Sequence, residues 1–80
     1  MSAQQTIINI IKKVLNKNQT IINQNTTPAD INNWDSLHHV LILNEIEKTF
    51  GIKFELDEML NMNSVKDIIQ VVETKINGNS

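Results

Sequence analysis

The chain has no cysteine, one proline, two glycines and only 4% aromatic residues. Without cysteine there is no disulfide framework and no thiolate zinc site, which suits a reducing compartment. The two glycines, Gly51 and Gly78, leave no glycine-rich loop for cradling a phosphate. Three aromatic side chains and a formal net charge of -2 provide no basic, base-stacking surface, so nucleic acid is not an expected partner. Nowhere is there an apolar run long enough to span a bilayer, and Met1-Ser2-Ala3-Gln4-Gln5 carries no basic stretch leading into one. The expectation is a soluble, cytoplasmic monomer with no membrane partner.

What the chain does have is an apolar fraction of 40% distributed over 80 residues. That length supports one small core and hence a single domain over 1–80, stabilised by packing a few amphipathic helices. Ile7, Ile8, Ile10, Ile11, Val14 and Leu15 recur at helical spacing and predict a first helix over about 3–17. The Asn- and Thr-rich segment from Asn16 to Asp35 contains Pro28 and reads as a long first connection, with a short turn near Thr27-Pro28-Ala29-Asp30. Long structureless loops are uncommon in compact domains, so Ile21, Ile22, Ile31 and Trp34 are expected to pin it.

A second helix is predicted over about 36–50, with Asp35 or Ser36 as N-cap and Gly51 as the stop. At about 100° per residue, Ile42, Leu43, Ile46 and Phe50 share the core stripe, whereas Leu37, Val40 and Leu41 fall away from it with Asn44. Ile52 to Leu56 alternates like a strand but has no partner strand, so an extended connector packing Ile52 and Phe54 inward is expected. A short helix over about 57–61 follows. Ser64, with Asp67 three residues later, marks the start of a last helix over about 64–77, which Gly78 ends. The predicted fold is all-α, three principal helices and one short one.

The run Asn33-Trp34-Asp35-Ser36-Leu37 sets a hydroxyl at the mouth of the second helix. A residue that carries a phosphate-linked group needs a primary alcohol that another enzyme can reach, in a place where an anion is tolerated. The unpaired N–H groups and dipole of a helix N-terminus meet the second need. On these residues alone two roles stay open for Ser36: an ordinary N-cap, or an attachment point.

Asp35-Ser36-Leu37, the helix that follows through Glu47, Phe50-Gly51-Ile52, Asp57-Glu58-Met59 and Ser64-Val65-Lys66-Asp67-Ile68 together resemble the acyl carrier protein family over nearly the whole chain. The resemblance implies a carrier that catalyses nothing itself. It implies a 4'-phosphopantetheine arm on Ser36, donated by coenzyme A through a phosphopantetheinyl transferase, with acyl groups held as thioesters on the arm's thiol. Further implied partners are an acyl-loading ligase or acyltransferase and downstream acyl-processing enzymes, to which the tethered cargo is presented at high effective concentration. Asp35 is implied in transferase recognition and in shaping the helix start.

Leu37, Val40 and Leu41 form a candidate docking patch beside Ser36, with Asp35 and Glu47 completing the docking set; incidental exposure is the plain alternative. Carriers of primary fatty acid synthesis usually present a strongly acidic second helix. Here His38, His39, Leu41 and Lys48 interrupt that pattern, and only Glu45 and Glu47 remain. Weaker electrostatic steering follows, and with it a stand-alone carrier of a dedicated pathway rather than housekeeping fatty acid synthesis. The run Trp-Asp-Ser-Leu-His-His is similar to that of free-standing carriers in specialised secondary or surface-polysaccharide pathways.

His38 and His39 diverge by about 100° and cannot converge on one metal or act as a paired base, so solvated or packing roles are expected. Trp34 is expected to clamp the connection against the bundle. Met59 and Met62 are open between core filling and lining an acyl-chain entrance. Asp57 and Glu58 lack the spaced oxygen ligands of a calcium loop. Two other readings stand beside the acyl carrier: a peptidyl or D-alanyl carrier of aminoacyl groups, and an unmodified helical interaction module using Leu37, Val40 and Leu41.

Overall fold

Isoleucine spacing closes the first helix around a single buried stripe. In the computed structural model, which describes residues 3–17 and 19–78, α1 spans Ala3–Leu15 and buries Ile7, Ile8, Ile10, Ile11 and Leu15. It stops two residues short of the predicted end because Asn16 turns left-handed at φ 58. The Asn16 N–H then donates to the Lys13 carbonyl and the Lys17 N–H to the Lys12 carbonyl, satisfying two of the last free carbonyls. Asparagine tolerates this conformation where a β-branched residue would not.

The long connection is pinned, though not by all the residues expected. Ile22, Ile31 and Trp34 are buried, whereas Ile21 is 85% exposed and points to water. Alternation along an extended stretch explains the correction: adjacent side chains face opposite ways, so Ile21 and Ile22 cannot both enter the core. A 3-10 turn at Pro28–Asp30 holds Thr27, whose N–H and hydroxyl both donate to Asp30. Asn33 Nδ2 donates to the Leu15 carbonyl at 2.9 Å, tying the connection back to the end of α1. At its middle, the carbonyls of Thr26 and Gln24 accept the N–H groups of Val65 and Lys66, both at 2.9 Å.

Helix α2 (Ser36–Phe50) buries Ile42, Leu43 and Ile46 completely, with Phe50 half-buried at the edge of the same stripe. Gly51 stops it at φ 68, and the Glu47 carbonyl accepts from both Gly51 and Ile52. Phe54 then turns inward and is buried, while Ile52 is half-buried. Helix α3 spans Leu56–Asn61, one residue earlier than predicted, because Glu55 acts as its cap residue and its N–H donates to Glu58 at 2.7 Å. Helix α4 spans Val65–Gly78, so Gly78 lies in its last turn rather than beyond it. The Ser64 hydroxyl caps α4 by accepting from the Asp67 N–H.

Helix α1 packs against both α2 and α4. Val65, Ile68 and Val72 from α4 meet Ile7, Ile11 and Ile46 in one core. Helix α3 contributes no fully buried residue and is held by Met59, by Met62 just past its end, and by Lys75 Nζ, which lies 2.9 Å from Glu58 Oε1. The fold is all-α, and among the described residues no helix is long and apolar enough to cross a membrane.

Candidate functional site

The start of α2 is organised by Asp35. Its backbone is extended, and its Oδ1 accepts the His38 N–H at 2.9 Å while lying 2.8 Å from His38 Nδ1. This is an N-cap bond, so the capping role falls to Asp35 and Ser36 becomes the first residue inside the helix. The same contacts with His38, the backbone N–H first and then the ring, hold the Asp35 carboxyl below its ordinary range. Ser36 is exposed, with its alcohol at the end of the helix where N–H groups have no carbonyl partner in the turn before. An anion at that oxygen would be favoured by the helix end.

Beside Ser36 opens a cleft of about 440 Å³ between the first turn of α2 and α3. Trp34, Val40, Met59 and Met62 supply apolar walls, and Leu56 and Leu60 stand at its rim, exposed by 68% and 70%. The leucines were not singled out from the sequence, although a spacing of four residues on a short helix puts both on one face. Met62 is buried in the core and also borders the cleft, so both expectations for it meet in one side chain; Met59 is half-buried there. His39 is the cleft's imidazole. It is half-buried, it accepts from Trp34 Nε1 through Nδ1 at 3.2 Å, and burial pushes it below the usual histidine range. Periodicity gave no hint of that pairing, because it spans a connection and a helix start.

The expected docking residues divide. Leu37 is 65% exposed and Val40 and Leu41 are each 44% exposed, away from the core stripe as the angles require. Leu37, Leu41, Asn44 and Lys48 form one outward stripe, free of carboxylates. Glu47 is half-buried, and its Oε2 accepts the Phe54 N–H at 2.7 Å, an internal commitment that sequence reasoning missed. The two histidines do not converge: His38 turns to Asp35 and His39 to Trp34. Trp34 is buried to 5% exposure and clamps the connection as expected.

Residues 5–72 match the family model described as phosphopantetheine attachment site. Among solved structures, the chain is similar to the solution NMR structure of a holo acyl carrier protein from Geobacter metallireducens. The two are 26% identical over 99% of this chain and 91% of that one, with a TM-score of 0.88. No curated protein matches.

Proposed function

The chain belongs to the phosphopantetheine attachment family, with the fold of an acyl carrier protein, and on that premise we propose that it is a stand-alone acyl carrier anchored at Ser36 Oγ. It is a carrier and not an enzyme, and its cofactor is a covalently attached 4'-phosphopantetheine. The observation that carries the choice of Ser36 is the division of labour at the start of α2. Asp35 caps the helix, leaving an exposed primary alcohol at its positive end and at the lip of an apolar cleft.

When bound, the arm supplies a thiol on which acyl groups are held as thioesters. The chain's own residues do the rest. Ser36 Oγ provides the ester oxygen, and the first turn of α2 tolerates the phosphate charge beside it. Val40, Met59, Met62 and the two rim leucines offer apolar surface to cargo that folds back from the arm. Leu37 and Leu41 provide an exposed apolar face for the phosphopantetheinyl transferase, an acyl-loading ligase or acyltransferase and later acyl-processing enzymes.

The outward stripe of α2 also supports a dedicated pathway. A carrier recognised mainly by basic enzyme surfaces needs carboxylates there; this one offers two leucines, an asparagine and a lysine. Specialised biosynthesis in the cytoplasm, rather than housekeeping fatty acid synthesis, is the reading that fits this surface.

The test is incubation with coenzyme A and a promiscuous phosphopantetheinyl transferase, followed by intact-mass analysis. Wild type should gain one phosphopantetheine and Ser36→Ala none. A wild type that stays unmodified, or a Ser36→Ala that is still modified, refutes the assignment.

A further inference from the structure

Neither attachment nor docking accounts for the contact between Trp34 and His39. Their ring centroids lie 6.0 Å apart at 33°, and the indole Nε1–H donates to His39 Nδ1 at 3.2 Å. An indole nitrogen is a donor only, so His39 Nδ1 must carry no proton and the ring's hydrogen sits on Nε2. Met59, on α3, lines the same cleft as His39. One imidazole thus ties the connection, through Trp34, to α2 on which it stands, in a cleft whose far wall is α3.

We propose that neutral His39 is the latch of this cleft, holding Trp34 in its wall, and that protonation of His39 releases the indole and opens the wall beside Ser36. A proton added to Nδ1 sets two N–H groups against each other, and the Trp34 bond is lost outright. Among the groups lining the cleft, no uncommitted carboxylate stands ready to pair with the resulting cation. From the connection, the titratable group lining the cleft is Asp35, whose carboxylate is engaged by His38. From α3 the lining residues are Leu56, Met59 and Leu60, and from the link to α4 they are Met62 and Asn63, none of them acidic. The nearby carboxylates of α3 face elsewhere: Glu58 binds Lys75, and Asp57 lies in a separate groove with Asp67. Burial of His39, which favours its neutral form, agrees with this geometry.

His39 in this scheme is a positioning residue acting through Trp34. Mild acid uncouples the connection from α2 and lets water reach an indole that is otherwise 5% exposed. The device does not depend on the arm, so it is tested on the unmodified protein, and Ser36→Ala should behave like wild type. Trp34 is the only tryptophan, which makes its emission and its indole N–H resonance direct readouts.

Wild type should show a single titration step in both signals below the ordinary histidine value of 6.5, with emission shifting to longer wavelength on the acid side. His39→Gln, whose amide accepts a hydrogen bond but does not titrate, should lack the step while keeping the neutral-pH spectrum. His38→Gln should retain it. Imidazole nitrogen shifts of the wild type at neutral pH should place the His39 proton on Nε2, a measurement that needs no variant to fold. A proton on Nδ1 at neutral pH, an absent step in wild type, or a step that persists in His39→Gln overturns the proposal.

Discussion

At the scale of single residues, Asp35 takes the helix cap and leaves the Ser36 hydroxyl exposed, as the proposed attachment requires. Asp35→Ala should therefore fray the first turn of α2, lowering the thermal midpoint and slowing phosphopantetheine transfer to Ser36, whereas Asp35→Asn, which keeps a capping oxygen, should do so less. Thermal melts and the mass-shift time course check both. Gly51 makes a different demand. At φ 68 the backbone is left-handed, but a Cβ added there meets nothing within 4 Å. Gly51→Ala should cost about 1 kcal/mol from backbone conformation alone, measured by urea denaturation. A much larger loss would reveal a clash that this geometry does not contain.

At the scale of elements, α2 presents two opposed faces and each makes its own prediction. Ile46 is fully buried, so Ile46→Ala should lose about 2–5 kcal/mol through the cavity it leaves. Leu41 is on the outward stripe, so Leu41→Glu should leave chemical denaturation nearly unchanged while altering the kinetics of partner enzymes. The separation of these faces was legible in the sequence because helical period alone decides it. The stop at Gly51 and the Ser64 cap were legible for similar reasons, each resting on local chemistry. What escaped were choices between neighbours and contacts across elements. Asp35 and Ser36 are both good caps, and only the backbone decides that Asp35 serves. Nothing in the spacing of Glu47 announces that its side chain reaches the Phe54 N–H, nor does the pattern show which of Ile21 and Ile22 turns inward. Glu47 enters the docking set as one of the two acids remaining on α2, a count that cannot register a hydrogen bond seven residues ahead.

Across the whole molecule, the buried apolar residues concentrate on α1, α2 and α4, and α3 leans on their edge. Amides of α3 should accordingly exchange with solvent faster than those in the middle of α1, and Lys75→Met, which removes the ion pair with Glu58, should widen the gap. Exchange in α3 as slow as in α1 would contradict this. The response to acid is set by two groups whose folded values are both lowered. His39 binds protons less readily folded than unfolded, so stability is unaffected well above pH 6.5 and declines as pH falls from there through its folded value. Asp35 acts in more acidic solution: its contribution is present above pH 3.8 and disappears as pH falls through its lowered folded value. Denaturation midpoints across this range should fall in two stages, and His39→Gln should remove the upper one.

The two bonds from the carbonyls of Gln24 and Thr26 to the start of α4 run from main chain to main chain. No side-chain replacement at either position can delete them, but lengthening or shortening the segment would move both acceptors out of register with Val65 and Lys66. Drift in the spelling of this stretch is therefore tolerable where drift in its span is not.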